Sequence, residues 1–266
     1  MANPNSSTVR FRQGTSRRRR HAGVWATILG AVLALTPARI RAADAVREAA
    51  EARARAACEV GRKACAAAPT DPVAAWEFAR ATFDWAEFAT AKEDRARLAT
   101  EGIAAGRRAV ELGPALAASH YYLAMNLGQL ARTKLLGALS LVTEMEDLFI
   151  QARSLDPRFD FAGADRCLGL LYRDAPGWPV SVGNRKKARK HLEAAINLAP
   201  DYVENRLNLL EALVEWGERA EAREVRAALA GRLPLAREEF AGERWAWSWQ
   251  DWDRRWESVT RQIDAW

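Results

Sequence analysis

A six-residue pattern that ends in proline recurs through the middle of the sequence and constrains its fold more than any other feature. It occurs as A-V-E-L-G-P at Ala109–Pro114, A-R-S-L-D-P at Ala152–Pro157 and A-I-N-L-A-P at Ala195–Pro200. Together with Pro72 and Pro234, these prolines are spaced by 42, 43, 43 and 34 residues. Repeats of this length indicate stacked helical hairpins, and proline suits the turn between them because it cannot continue the preceding helix.

The residues between the prolines predict two helices per unit. Small and large side chains follow one another at helical spacings, as in Ala188, Leu192 and Ala195. Almost no segment shows the two-residue alternation that is typical of a strand. We therefore predict an all-α fold, a tetratricopeptide-like α-solenoid of antiparallel helix pairs over residues 44–234, with Asp44–Ala67 as a helix that caps its first end.

Tryptophans dominate the last segment, residues 235–266. Trp245, Trp249, Trp252 and Trp256 recur at i, i+4, i+7 and i+11, which places them on one stripe of a helix. The stripe predicts a C-terminal Trp-rich capping helix that covers the apolar face of the last repeat. A partner surface or a membrane-interface surface is the alternative for the same pattern.

The first 43 residues have the composition of a signal peptide. They contain eight arginines, no acidic residue and the thirteen-residue apolar stretch Gly23–Leu35, which is short for a bilayer that needs roughly twenty residues. We expect cleavage near Ala43 and a periplasmic location, and a membrane anchor formed by the uncleaved leader is the alternative. Loss of the eight arginines turns the formal net charge of +6 into about −2, which argues against nucleic-acid binding.

Aromatic residues outside the cap are the candidate ligand or partner surface. Trp178 lies in Asp174–Asn184, a stretch whose prolines and glycines exclude helix, and it either fills a gap between units or lines a ligand opening. The other candidates lie on predicted helices: Trp76, Trp85, Tyr121, Tyr122 and Tyr172. The apolar segment Leu123–Met145 predicts a helix buried on every side or the lining of an internal cavity. The basic run Arg185–Lys190 predicts a solvated helix face or a patch for an anionic partner or membrane surface.

One stretch carries a family resemblance. The sequence L-G-L-L-Y-R-D-A-P-G-W-P at Leu168–Pro179, with the downstream residues Gly183, Lys187, Ala188, His191, Leu192 and Ala195, resembles the tetratricopeptide T component associated with tripartite ATP-independent periplasmic (TRAP) transporters. The resemblance covers about residues 72–234. It implies a periplasmic helical-repeat protein, often oligomeric, with a hydrophobic passage and a substrate-binding protein as partner. Members can be lipoproteins, whereas no cysteine of this chain directly follows the apolar leader.

No sequence pattern for catalysis or cofactor binding is present. The chain has no phosphate-binding loop, no dinucleotide-binding glycine triplet and no nucleophile elbow. His120 and His191 lack a second histidine or cysteine at metal-ligand spacing. Ser119 is adjacent to His120, so on a helix their side chains diverge by about 100° and do not form a nucleophile and its base.

These observations favour an exported, non-catalytic binding scaffold that mediates protein–protein interaction along a concave surface. The alternative is the T component of a TRAP-type transporter, a periplasmic accessory that binds a small hydrophobic or amphipathic ligand. A continuous apolar tunnel would favour the second function over the first. We expect no cofactor, and a homo-oligomer is compatible with either function.

Overall fold

The computed structural model describes residues 37–134 and 137–266. Within them there are ten helices and no strand, which confirms the prediction of an all-α, solenoid-like fold. The helices in chain order are α1 (Pro37–Ala67), α2 (Pro72–Ala86), α3 (Lys92–Leu112), α4 (Ala117–Ala131), α5 (Ala138–Leu155), α6 (Phe159–Asp174), α7 (Arg185–Leu198), α8 (Val203–Glu215), α9 (Arg219–Glu239) and α10 (Glu243–Asp264).

Local sequence signals account for several helix ends. Asp71 caps α2, because its carboxylate accepts a hydrogen bond from the amide of Val73 at 2.8 Å, and Pro72 occupies the first turn. Asn184 caps α7 in the same way and accepts from the amide of Lys187 at 2.9 Å. The prolines that follow α3, α5 and α7 lie in turns, as predicted: Pro114, Pro157 and Pro200.

Pro234 differs from the other repeat prolines because it lies inside α9. A proline within a helix removes a backbone hydrogen bond and crowds the preceding turn, at a cost of about 3 kcal/mol. Leu229, Ala236 and Phe240 are buried in one apolar cluster on either side of it, and this packing stabilises the helix across the proline. The predicted boundary between the repeat domain and the cap, at residues 234 and 235, therefore falls within one helix.

The helices pack as consecutive pairs, α2 with α3, α4 with α5, α6 with α7 and α8 with α9. The first helix of each pair also packs against the first helix of the next pair. The described second helices are linked to one another only at the ends of long side chains, by ion pairs such as Arg107 with Glu144 and Arg189 with Glu221. The first helices therefore lie on the inner side of a curved array and the second helices on its outer side, as expected of a solenoid. α1 packs against α2 at one end.

Gly102 lets α3 approach α2 and α4 closely. A Cβ added here would lie 2.1 Å from Oδ1 of Asn126 and 2.3 Å from Oγ1 of Thr82, and both of those side chains are fully buried. We expect Gly102→Ala to lower the free energy of unfolding by about 3 kcal/mol, the upper part of the range for overpacking, in a urea titration. The control is Gly231→Ala in α9, where an added Cβ meets open space and should leave stability equal or slightly higher. Equal stabilities of the two variants would contradict this close approach.

The tryptophan stripe of α10 faces the last helix pair. Trp245 and Trp252 pack around Phe240 with ring centroids 4.8 and 6.1 Å away, and the indole N–H of Trp249 donates to the carbonyl of Phe240 at 2.7 Å. Trp256 packs at the edge of the same apolar cluster. The stripe therefore packs on the last helix pair and is largely buried.

The apolar segment Leu123–Met145 is not one buried helix. Its first part lies in α4, which is buried around nearly all of its circumference. Leu135 and Leu136 lie outside the described residues, and α5 buries only one side, with Leu139 44% exposed. The prediction of burial on every side holds for α4 and is wrong for α5, because α5 lies on the outer side of the array.

Most of the predicted leader, residues 1–36, lies outside the described residues. α1 begins at Pro37 and runs through Ala43, the expected cleavage point. None of the described helices is both long enough and apolar enough to cross a membrane. Export, cleavage and the alternative of a membrane anchor stay predictions.

Candidate functional site

The two ends of the array meet at one place. α10 packs on α8 and α9 and then reaches α1, where the side chain of Gln250 donates to the carbonyl of Ala43 at 3.3 Å. The ring of Trp247 packs on Phe88, just after α2, with centroids 5.2 Å apart. The helices α1, α2, α4, α6, α8 and α10 therefore form a closed circuit in which each contacts the next.

Two clefts flank this junction and share Arg47. The first, which we call the Trp85 cleft, has a volume of about 270 Å³ and lies between α1, the end of α2 and α3. Its walls include Arg47, Glu51, Trp85, Phe88, Asp94 and Arg97. The second, the Trp247 cleft, has a similar volume of about 270 Å³ and lies between α1 and α10. Its walls include Arg47, Trp247, Gln250, Asp251 and Arg254.

Trp85 is the aromatic wall of the first cleft and lies between two arginines. The guanidinium of Arg55, on α1, is 5.9 Å from the ring centroid, and that of Arg97, on α3, is 5.8 Å from it. Arg97 is in turn paired with Asp94 at 3.6 Å and with Glu101 at 3.1 Å. Each such contact is worth about 0.5–1 kcal/mol at an exposed site, so the two guanidinium groups favour this position of the indole before a partner arrives.

The chemistry of the Trp85 cleft suits a side chain of a protein partner. Tryptophan and arginine are enriched where interfaces concentrate their binding energy, and here a half-buried indole lines a recess beside arginines. The cleft presents positive charge from Arg47 and Arg97 and negative charge from Glu51 and Asp94. The cleft is therefore complementary to an apolar side chain of a partner whose neighbouring residues are polar or charged. The described residues contain no group of three or more side chains that could hold a metal ion.

The structure brings three predicted site residues together, but in the core. Trp76 stacks on Tyr122 with ring centroids 5.8 Å apart, and Tyr121 meets Tyr122 edge to face at 5.1 Å. Phe159 contacts all three rings. Tyr121 and Tyr122 are fully buried. The cluster therefore joins α2, α4 and α6. The burial of its two tyrosines does not fit a partner surface, whereas Trp76 is half-buried.

Tyr172 is also buried, whereas Trp178 is the most exposed of the predicted residues. The hydroxyl of Tyr172 donates to Glu146 at 2.5 Å, and its ring lies 5.5 Å from that of His191. Burial and the hydrogen bond to Glu146 raise the pKa of the Tyr172 hydroxyl, so it stays protonated at neutral pH. Trp178 is 88% exposed, and Trp85 is half-buried. Solvent thus reaches only part of the predicted set.

The backbone contains a left-handed turn at the start of α6 that sequence reasoning missed. Asp160, Phe161 and Ala162 have φ values of 50°, 55° and 62°. Left-handed backbone costs a residue with a side chain about 1 kcal/mol or more, so surrounding contacts must stabilise the turn. None of the three is glycine, the residue that would have indicated positive φ in the sequence.

Arg166 is the central contact of this turn. Its buried guanidinium pairs with the carboxylate of Asp160 at 2.9 Å and donates to the carbonyls of Asp160 and Phe161 at 3.1 and 3.2 Å. Asn205 also donates to the carbonyl of Phe161, at 3.1 Å, and the hydroxyl of Tyr121 donates to Asp160 at 2.8 Å. Arg166 and its partners therefore connect α4, α6 and α8 at the centre of the array.

His191 and Asp165 resemble one half of a catalytic triad. Nδ1 of His191 lies 2.7 Å from Oδ1 of the fully buried Asp165, and Nε of Arg153 donates to both oxygens of the same carboxylate at 2.9 and 2.8 Å. In the described part of the chain no hydroxyl or thiol bonds to the other ring nitrogen of His191. Burial raises the pKa of the Cys167 thiol to about 12, which keeps it protonated at neutral pH. The cluster links α5, α6 and α7, and the geometry assigns it no nucleophile.

Comparison with known families finds a similarity over the first part of the structure. Residues 39–138 match the model of a family described as regulator of microtubule dynamics proteins 1–3. The match covers less than half of the chain and includes every residue that lines the Trp85 cleft. None of the curated proteins searched matches the chain.

Proposed function

We propose that the protein is a non-catalytic binding scaffold that takes a protein partner at the Trp85 cleft. The observation that carries the proposal is the half-buried indole of Trp85, fixed between Arg55 and Arg97 at the wall of a recess of about 270 Å³. An aromatic anchor and arginines in a recess are the features that concentrate binding energy at protein interfaces.

The inner side of the array, which the sequence favoured as the partner surface, suits this role less well. α10 and α1 join the inner helices α2 and α8 into a closed circuit. At α8, a peptide on this side would have to compete with α10, whose tryptophan stripe is largely buried. The Trp85 cleft lies beside the junction and can be reached without such competition.

The family similarity supports a protein partner as well. The family is described as regulators of microtubule dynamics, and microtubules are assemblies of protein. The matched segment contains the whole lining of the Trp85 cleft. We also propose that the helix pairs are of the tetratricopeptide type, which is supported by the small and large residues at helical spacings in the sequence, such as Ala188, Leu192 and Ala195.

The transport function stays a prediction, together with its periplasmic location, its substrate-binding-protein partner and its small apolar ligand. Leu123, at the start of the segment expected to line a passage, packs against Gly106, where an added Cβ would lie 3.0 Å from it. No observation on the described residues favours ligand transport over the binding scaffold.

A photo-crosslinking amino acid at Ala89, a lining residue of the Trp85 cleft, tests the proposal in cells that make the full chain. We expect one recurrent protein adduct, identified by mass spectrometry. Its yield should fall about tenfold in Trp85→Ala, since the partner loses its main aromatic contact. Arg97→Glu, which keeps the indole and reverses a half-exposed charge, should also reduce the yield.

The matched control places the crosslinker at Glu224, an exposed residue on the outer helix α9. Thermal unfolding of each variant separates loss of binding from loss of fold. The same adducts at both positions, or an adduct at Ala89 that neither substitution changes, would rule out the Trp85 cleft as the partner site.

A further inference from the structure

The loop between α6 and α7, residues 175–184, carries the most exposed large apolar side chain among the described residues. Trp178 is 88% exposed, and Val180 beside it is 60% exposed. Every other tryptophan that the structure describes is buried or half-buried. Trp178 is therefore the exception among the described tryptophans, because its indole lies almost entirely in solvent.

Backbone contacts fix the position of this loop. The amide of Gly183 donates to the carbonyl of Pro176 at 2.9 Å, and the amide of Asn184 donates to the carbonyl of Tyr172 at 2.8 Å. A Cβ added at Gly183 would lie 2.1 Å from the carbonyl oxygen of Ala175, so the two sides of the loop are in direct contact. An apolar tip held in this way loses little conformational entropy on binding.

α7 follows directly with five basic residues in its first six positions. Three of them are in ion pairs with acidic residues of neighbouring helices: Arg185, Lys187 and Arg189. Lys186 and Lys190 are exposed and form no ion pair with a described residue. Since they are four residues apart, they lie on one face of the helix. Directly after the apolar tip in the chain there is thus a helix face with two positive charges that no described acidic residue pairs.

We propose that Trp178, Val180, Lys186 and Lys190 form a docking surface for an anionic lipid bilayer. Tryptophan favours the headgroup region, where its ring meets acyl chains while its N–H meets water. Lysines close to that region are attracted by anionic headgroups. This surface is separate from the Trp85 cleft, and it does not depend on the proposed protein partner.

The size of the tip favours a bilayer over a protein. A stable protein interface takes about 20 to 30 residues from each side. The exposed apolar tip here consists of residues 177–180 alone. A bilayer needs no complementary shape, because a protruding ring enters between lipids and the lysines select anionic headgroups. Docking through one indole and two lysines is weak, reversible and weakened by salt.

Vesicle flotation of the full chain, in the form that cells produce, tests the proposal. The vesicles contain phosphatidylcholine alone or with about one third phosphatidylglycerol. Lys186→Gln with Lys190→Gln should bind the anionic vesicles about thirtyfold more weakly, which corresponds to about fivefold for each lysine. Trp178→Ser should bind about tenfold more weakly to the same vesicles.

Matched controls change exposed side chains elsewhere. Lys63→Gln with Lys92→Gln alters the net charge by the same amount, and Val60→Ser removes another exposed apolar side chain. Neither control should weaken binding. Brominated lipids provide a second readout if Trp25 of the predicted leader is replaced by phenylalanine in every protein compared, so that an uncleaved leader adds no quenching. The quenched part of the tryptophan emission should then disappear in Trp178→Phe.

Three results would overturn the proposal. The first is equal binding by the lysine pair variant and its charge-matched control. The second is bromolipid quenching that Trp178→Phe leaves unchanged. The third is a co-purifying protein that is lost in Trp178→Ser while vesicle binding stays the same, which would assign the loop to a protein partner. The crosslinking at Ala89 is a separate measurement, so failure of the bilayer proposal leaves the Trp85 cleft untouched.

Discussion

Replacing Arg166 with leucine should lower the free energy of unfolding by about 4 kcal/mol, because the substitution breaks a buried ion pair and leaves the charge of Asp160 in the core. The two side chains are 1% and 0% exposed, so water cannot take the place of the guanidinium. The left-handed turn also loses two hydrogen bonds to its carbonyls. Urea denaturation followed by far-ultraviolet circular dichroism measures the loss.

Two further variants identify the cause of that loss. Asp160→Asn combined with Arg166→Leu removes both charges and should recover about 1 to 2 kcal/mol if the uncompensated carboxylate is the main term. Arg108→Leu removes an arginine that is 47% exposed and paired with Glu111, and it should cost less than about 1 kcal/mol. If Arg166→Leu were no less stable than Arg108→Leu, Arg166 would not be the central contact of the array.

The turn that Arg166 stabilises also supports the cap. Phe161, in the middle of the turn, stacks on Tyr202 with ring centroids 4.4 Å apart and contacts Trp245 of α10 at 6.1 Å. Unfavourable backbone angles at this point are thus compensated by an ion pair on one side and by aromatic packing on the other. A local disturbance in α6 therefore affects the helix that forms one wall of the Trp247 cleft.

The sequence predicts the helix pairs and the cap because both depend on local periodicity. A proline that ends a helix and a stripe of tryptophans on one face act through neighbours a few residues away. Pro234 shows the limit of this reasoning. Its local effect is the same as that of the other prolines, but the burial of Leu229 and Phe240 around it outweighs the lost hydrogen bond.

The meeting of α10 with α1 could not be predicted from such patterns. Where the last helix lies depends on the curvature that four helix pairs accumulate, and no single segment encodes that sum. The sequence nevertheless contains one signal that α10 packs on a second partner. Trp247 lies two residues from Trp245, and therefore about 200° around the helix from the stripe. A helix with aromatic side chains on two sides packs on two sides, and Trp247 contacts Phe88 at the far end of the chain.

The candidate partner surface was only partly predictable for a related reason. Tyr121 and Tyr122 lie on an inner helix that has neighbours all round, so their aromatic rings fill the core. Trp85 and Trp178 lie at the end of a helix and in a loop, where fewer neighbours are available to cover them. Composition alone does not distinguish these two situations, because aromatic residues serve cores and interfaces alike.

Arg255 fastens α10 to α8, and its replacement by leucine should lower the free energy of unfolding by about 4 kcal/mol at neutral pH. The buried guanidinium bonds to both carboxylate oxygens of Glu211 at 2.9 and 2.8 Å and lies 3.4 Å from an oxygen of Glu204. The substitution removes one of the two arginines whose charge acts on the buried carboxyl of Glu204, the other being Arg166.

The loss in Arg255→Leu should become smaller in mild acid. Burial raises the pKa of the Glu204 carboxyl above its ordinary value of 4.5, and the charges of Arg166 and Arg255 oppose that rise. Without Arg255 this pKa moves further up. A carboxyl whose pKa is higher in the folded state than in the unfolded state binds its proton more tightly in the folded state. The free energy of unfolding therefore increases as the pH falls through the folded-state pKa, and it stops increasing below the unfolded-state pKa. The urea midpoints of the variant and the unmodified chain should therefore converge between neutral pH and about pH 5.

Two controls assign this pH dependence to Glu204. Adding Glu204→Gln to Arg255→Leu removes the titrating group, so the difference from the unmodified chain should change less with pH. Arg261→Leu, at an exposed position on the same helix, should cost less than about 0.5 kcal/mol and show no convergence. A loss in Arg255→Leu that is the same at every pH would mean that Glu204 does not titrate in the folded chain, and that the stabilisation comes from the contacts with Glu211 alone.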